Sequence, residues 1–122
     1  MNQRVATRLA TYERQYRSLA QELSGIGFIV AGSVASRPNT CGKSGCRCHG
    51  DPPQPHGPYW QWTAKVEGRT VNRRLSDREA ELYKKWIAND RHMRDVIAKM
   101  REIAAKATDL LLEQDLQQPE RV

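Results

Sequence analysis

The stretch from Cys41 to Trp62, CGKSGCRCHGDPPQPHGPYWQW, constrains the fold more than any other part of the chain. It holds all three cysteines, two of the three histidines, four of the six prolines and two of the three tryptophans. Almost everything outside it reads as helix or short strand. The spacing is Cys41-x4-Cys46-x-Cys48-x7-His56, with His49 as a second candidate. Three thiolates and one imidazole are a common closed tetrahedral set for a structural zinc ion. Glycines at 42, 45 and 50 allow the tight turns that aim several side chains inward. Lys43 and Arg47 lie between the cysteines, and cationic neighbours favour the thiolate that metal binding needs.

The fourth ligand is open between two histidines. His49 adjoins Cys48, and adjacent residues rarely face one metal without strain. His56 lies at the end of an Asp-Pro-Pro-Gln-Pro arm that can return the chain to the cysteines, and it is preferred. Disulfides fit poorly, because three cysteines cannot all pair and nothing suggests secretion. A Cys-x-x-Cys redox pair is absent.

CGKSGCRC, then HGPYW, then GRTVNRRLS and a helical tail, resemble a family of small uncharacterised bacterial proteins, often associated with mobile elements or phages. The resemblance covers roughly residues 30 to 105, by pattern. It implies Cys41, Cys46, Cys48 and His56 as the metal set, because the shared pattern has histidine directly before Gly-Pro-Tyr. It implies no settled activity. The long proline arm before His56 departs from shorter versions of the pattern.

A chain of 122 residues is expected to form a single domain. Its parts are an N-terminal heptad helix (1–25), a knuckle and hairpin module (26–75), a C-terminal helical region (76–116) and a tail (117–122). At 39% hydrophobic and 7% aromatic residues the core is modest, and a small β region gains from a metal staple. The net charge of +6 is uneven: +3 over residues 1–40, +4 over 41–75 and −1 over 76–122. A positive field centred on the knuckle and hairpin favours a polyanionic partner, nucleic acid before membrane. The N-terminus is polar and charged, unlike a signal peptide. The most apolar stretch, Ile26 to Ala35, is ten residues long, too short to span a bilayer. A cytoplasmic protein with reduced thiols is expected.

Val5, Leu9, Tyr12, Tyr16, Leu19 and Leu23 form a heptad seam on a helix over 4–24, closed by Ser24-Gly25. Phe28 to Arg37 reads as a strand, with Gly32 marking a bulge or close approach. Pro58 to Val66 and Arg69 to Leu75 read as a hairpin around the two-residue turn Glu67-Gly68. That turn sets Trp60, Trp62, Ala64 and Val66 opposite Leu75, Arg73, Val71 and Arg69 on one face. This face should pack on a helix, with Trp62 stacked on Arg73. The other face carries Gln61, Thr63 and Lys65 opposite Arg74, Asn72 and Thr70, beside Tyr59. Such a ribbon fits the major groove of DNA. Ser76-Asp77-Arg78-Glu79 is a capping box. It opens a helix with Leu82, Tyr83, Trp86 and Ile87 on its apolar face, which either continues or breaks near Asn89-Asp90. Met93, Val96, Met100, Ile103, Ala107 and Leu110 form a second seam.

The expected fold is α+β: a small zinc-stapled antiparallel β module of about three strands between two long helices. The helices would pack as a hairpin or coiled coil, and homo-oligomerisation through the same seams fits. No phosphate loop, nucleophile elbow or deaminase pattern appears, so no enzymatic activity is expected. The leading expectation is a zinc-stabilised nucleic-acid-binding accessory protein, DNA first. Lys43, Arg47, Lys65, Arg69, Arg73 and Arg74 would meet the polyanion, with Tyr59, Gln61 and Asn72 contacting bases or sugars. The rival expectation is a coiled-coil interaction subunit whose zinc only holds its head together.

Overall fold

A computed structural model describes residues 3–117. Helix α1 (Gln3–Ser24) is followed by strand β1 (Ser33–Asn39), a 3-10 turn (Arg47–His49), strands β2 (His56–Val66) and β3 (Arg69–Leu75), and helix α2 (Asp77–Gln117). The architecture is α+β, as the sequence pattern implied. The expected tail lies, beyond Gln117, outside the described residues. Contacts divide the chain into two compact units. One comprises residues 28–90; the other joins the segment up to residue 27 with the segment from 91 onward.

In the unit of residues 28–90 the sheet is antiparallel with order β1-β2-β3. The hairpin register is the one its turn dictates: Trp60 pairs with Leu75, Trp62 with Arg73, Ala64 with Val71 and Val66 with Arg69. Glu67 and Gly68 have φ of +51° and +79°, the paired positive angles of a turn whose twist matches that of its strands. β1 covers only the first part of β2, from Thr63 to His56. The sheet is therefore three strands wide only from Trp60 to Thr63; towards the knuckle it is β1 and β2 alone, and beyond Thr63 it narrows to a two-stranded tip of β2 and β3.

One face of this sheet packs on the start of α2. Ala64, Leu75, Ala80 and Ile87 are buried there. The Trp62 ring lies 5.3 Å from Tyr83, which in turn meets Trp86 edge-on at 5.3 Å. Arg73 donates to the Tyr83 hydroxyl at 3.3 Å rather than stacking on Trp62. Trp60 donates to Asp77 Oδ1 at 3.0 Å, and its ring carries the Lys84 ammonium 3.9 Å above it. The capping box is closed in both directions: Glu79 N–H donates to Ser76 Oγ at 3.2 Å, and Ser76 N–H donates to Glu79 Oε1 at 3.0 Å. Two orphan donors of the helix start are thus satisfied. The Ser76 amide and hydroxyl hold the Glu79 carboxyl below its ordinary range, aided by the Arg73 charge.

The strand expected from Phe28 starts only at Ser33. Phe28 is 81% exposed, and the segment before Ser33 is held by other partners. Val30 N–H donates to the Trp86 carbonyl, Asn89 Nδ2 to the Phe28 carbonyl, and Trp62 Nε1 to the Ala31 carbonyl, at 3.2, 2.8 and 2.9 Å. With these groups occupied, the chain enters the sheet through Gly32 at φ +111°. A Cβ there would overlap the Thr63 carbonyl oxygen and lie 2.8 Å from Trp62 Nε1. Asn89 is spent on this brace, and α2 runs on without a break.

In the other unit, α1 lies antiparallel to the later part of α2. His92 Nε2 meets Glu22 Oε1 at 2.7 Å, while Leu9 and Leu111 line one groove nearer the opposite end. Val96 and Leu110 of the second seam are buried. No residue of α1 is buried. No helix among the described residues is long and apolar enough to cross a membrane.

Candidate metal centre and the adjoining cationic cleft

Asn39 of β1 pairs with His56 of β2 across an irregularity in register, so Cys41 and His56 leave the same end of the sheet. The intervening loop folds back through three backbone bonds. Cys46 N–H donates to the Lys43 carbonyl, His49 N–H to the Cys46 carbonyl, and Gly50 N–H to the Arg47 carbonyl, at 3.1, 3.0 and 3.0 Å. Gln54 N–H returns to the Arg47 carbonyl at 3.0 Å, which closes the proline arm. At the other end Gly57 has φ +99°. A Cβ there would sit 2.9 Å from Tyr59 N, so glycine is required where the chain turns from His56 into the strand.

The loop converges Cys41, Cys46, Cys48 and His56, whose ligand atoms all lie within 4.8 Å of one another. Cys41 Sγ is 3.6 Å from Cys48 Sγ, and Cys46 Sγ is 3.1 Å from His56 Nε2. Metal–sulfur bonds of ~2.3 Å in a tetrahedron give S···S edges of about 3.8 Å. The four residues therefore fit a tetrahedral metal ion in spacing and in donor type. Cys48 is 1% exposed, and its sulfur accepts the Cys41 N–H at 3.3 Å. The Cys48 backbone N–H is the main cause that lowers the Cys46 thiol to about 6, helped by the neighbouring thiols and His56. Burial pushes the Cys48 thiol up. A metal binding here displaces such protons, since only thiolates ligate it.

His49 is turned elsewhere: its Nε2–H donates to the Cys41 carbonyl. It braces the loop from outside and is not among the four converging residues.

The residues expected to meet a polyanion fall into three groups. Lys43 and Arg47 are exposed on the knuckle loop. Tyr59, Gln61, Lys65, Asn72 and Arg74 share the sheet face turned away from α2, with Thr63 Oγ1 donating to Asn72 Oδ1 at 2.9 Å. Arg69 and Arg73 belong to the opposite face, where Arg73 is engaged by Tyr83.

β1 adds residues to the polar face that the hairpin pattern alone does not reveal. Arg37 pairs with Tyr59, and Ala35 with Gln61. Arg37, Pro38, Asn39, Tyr59, Trp60, Gln61 and Arg74 line a cleft of about 250 Å³. A second, shallower depression is shared by Asn39, Tyr59 and Arg74 with Cys41 and His56, so the cleft runs to the edge of the metal centre. The Arg74 guanidinium carbon lies 3.3 Å from the centre of the Tyr59 ring, a cation–π contact that orients it. Among the described residues, no Asp or Glu lines either depression. Only the β1–β2 register could have pointed to Arg37 and Asn39, and no short turn encodes it.

The sequence pattern of the domain of unknown function DUF6788 matches residues 9–84. No curated protein and no solved structure matches the chain.

Proposed function

The chain belongs to the DUF6788 family, whose pattern spans more than half of it, and from that premise we propose that it is a zinc-stabilised nucleic-acid-binding protein, acting on DNA as an accessory factor. The observation that carries this reading is the open, carboxylate-free sheet face of Tyr59, Gln61 and Arg74 beside the Cys3His cluster. Three thiols and an imidazole suit zinc, and four protein ligands leave no open coordination position. Bound zinc would act as a structural cross-link and not as an activator of water. It would hold the loop that carries Lys43 and Arg47 against the end of the sheet. The two-stranded tip beyond Thr63, with Lys65 and Thr70 on its polar face, is narrow enough for a major groove of ~12 Å. The wider part of the sheet suits the sugar-phosphate backbone beside it. The family resemblance adds a mobile genetic element as the setting.

The test combines elemental analysis with binding across a salt series. The expected results are one zinc per chain and an affinity for duplex DNA that falls steeply with salt. Removing Lys65 and Arg47 together should reduce the salt slope by about 1.8, two contacts at ~0.9 each. Weak binding with no salt dependence would refute the reading.

A second reading has its own support in the helix pair. Ala6, Leu9, Tyr12, Tyr16, Ala107 and Leu111 help to line an open groove of about 620 Å³, and Tyr16, Leu111 and Leu112 are exposed. In that reading the protein is a coiled-coil interaction subunit that assembles through its seams. Leu9→Asp should then abolish assembly, measured by sedimentation, while charge changes on the sheet leave it intact.

A further inference from the structure

We propose that the cleft between β1 and β3 is a phosphate clamp, in which Arg37 and Arg74 hold one backbone phosphodiester of the bound nucleic acid. The inference rests on the nucleic-acid reading for its ligand and goes beyond it in assigning Arg37 and Asn39, from a strand outside the hairpin, to the contact.

Arg37 and Arg74 line one cleft from the two strands that flank β2. Neither has an ion pair with a carboxylate among the described residues, whereas Arg17 and Arg78 of the helices do. Two guanidinium groups facing one concavity without a counter-charge repel each other, and an oxyanion between them reverses that sign. Guanidinium is also the group whose planar fork matches phosphate oxygens in pairs. Arg74 is already oriented by the Tyr59 ring 3.3 Å away, so less side-chain freedom is lost on binding.

Size and polarity narrow the ligand. About 250 Å³ is below the ~300–1,000 Å³ of sites that enclose a free small molecule. It suits one charged group of a larger chain. Asn39 and Gln61 line the same cleft, and an amide side chain can supply donors to the remaining phosphate and sugar oxygens. Such contacts fix the register of a protein on its nucleic acid without reading sequence. The clamp would set how far the sheet tip enters the groove.

The experiment uses the full-length zinc-loaded chain. Duplex affinity is measured over a salt series for wild type, Arg37→Ala, Arg37→Gln and Asn39→Ala, each checked for one zinc per chain. In parallel, the arginine side-chain N–H resonances are followed while inorganic phosphate is added. Loss of one phosphate contact lowers the slope of log K against log salt by about 0.9, an eightfold loss at 0.1 M salt. Both Arg37 variants should show this, and Arg37→Gln keeps the stem should Arg37→Ala disturb β1. Asn39→Ala should weaken binding with the slope unchanged. Phosphate should shift the Arg37 and Arg74 resonances together.

Normal binding with an unchanged slope in both Arg37 variants would overturn the clamp and leave the nucleic-acid reading standing. Phosphate-induced shifts at both arginines in a protein that binds no nucleic acid would support the clamp's oxyanion chemistry and refute the broader reading. Phosphate that moves neither resonance would overturn the clamp.

Discussion

Replacing His56 and His49 by alanine, one at a time, separates a ligand from a brace. Structural zinc sites of this kind bind with about 10–16 kcal/mol, or roughly 2.5–4 kcal/mol for each of four ligands. His56 Nε2 lies 3.1 Å from Cys46 Sγ inside the cluster, so His56→Ala should weaken zinc binding by roughly 10²–10³-fold. His49 contributes one hydrogen bond to the Cys41 carbonyl. An intramolecular hydrogen bond is worth about 0.5–1.5 kcal/mol net, and its loss should weaken zinc binding by no more than about tenfold. Competition against a chromophoric chelator at fixed pH gives both constants on one scale. The two variants should differ by at least about tenfold. Equal constants, or a larger loss for His49→Ala, would refute the assignment of the fourth ligand and the geometric argument behind it.

Other consequences concern the frame of the site. Gly32→Ala should destabilise the unit of residues 28–90 by about 2–4 kcal/mol in urea melts, combining positive-φ strain with overlap against Thr63. A loss under about 0.5 kcal/mol would show that the entry into β1 is not tight. Leu75→Ala removes a side chain only 5% exposed and should cost about 2–5 kcal/mol, read by the same melts. Glu79 has its carboxyl lowered by Ser76, so its capping contribution is present above the unfolded carboxylate range and is lost as pH falls through the folded value. Glu79→Gln should therefore flatten the acid limb of a stability-against-pH curve, and an unaltered limb would contradict the box.

The legible parts of this protein were those in which neighbouring residues decide the outcome. A two-residue Glu67-Gly68 turn leaves only one register for the hairpin, and all its pairs follow. Ser76 and Glu79 are three residues apart and cap the helix by themselves. The cysteine spacing and His-Gly-Pro-Tyr confined the candidate ligands to one loop. Tertiary structure decided what lies across longer stretches of chain. The knuckle separates β1 from β2, so no short turn transmits the register that sets Arg37 beside Tyr59. The apolar run Phe28 to Val30 resembles a strand by propensity, yet Trp86 and Asn89 take its backbone groups. Trp62 had an arginine opposite it in register, but its ring went to Tyr83 and its N–H to Ala31. Local rules act through a few fixed torsions; the remaining choices depended on which distant partners could pair with each backbone and ring N–H or carbonyl once the chain had closed.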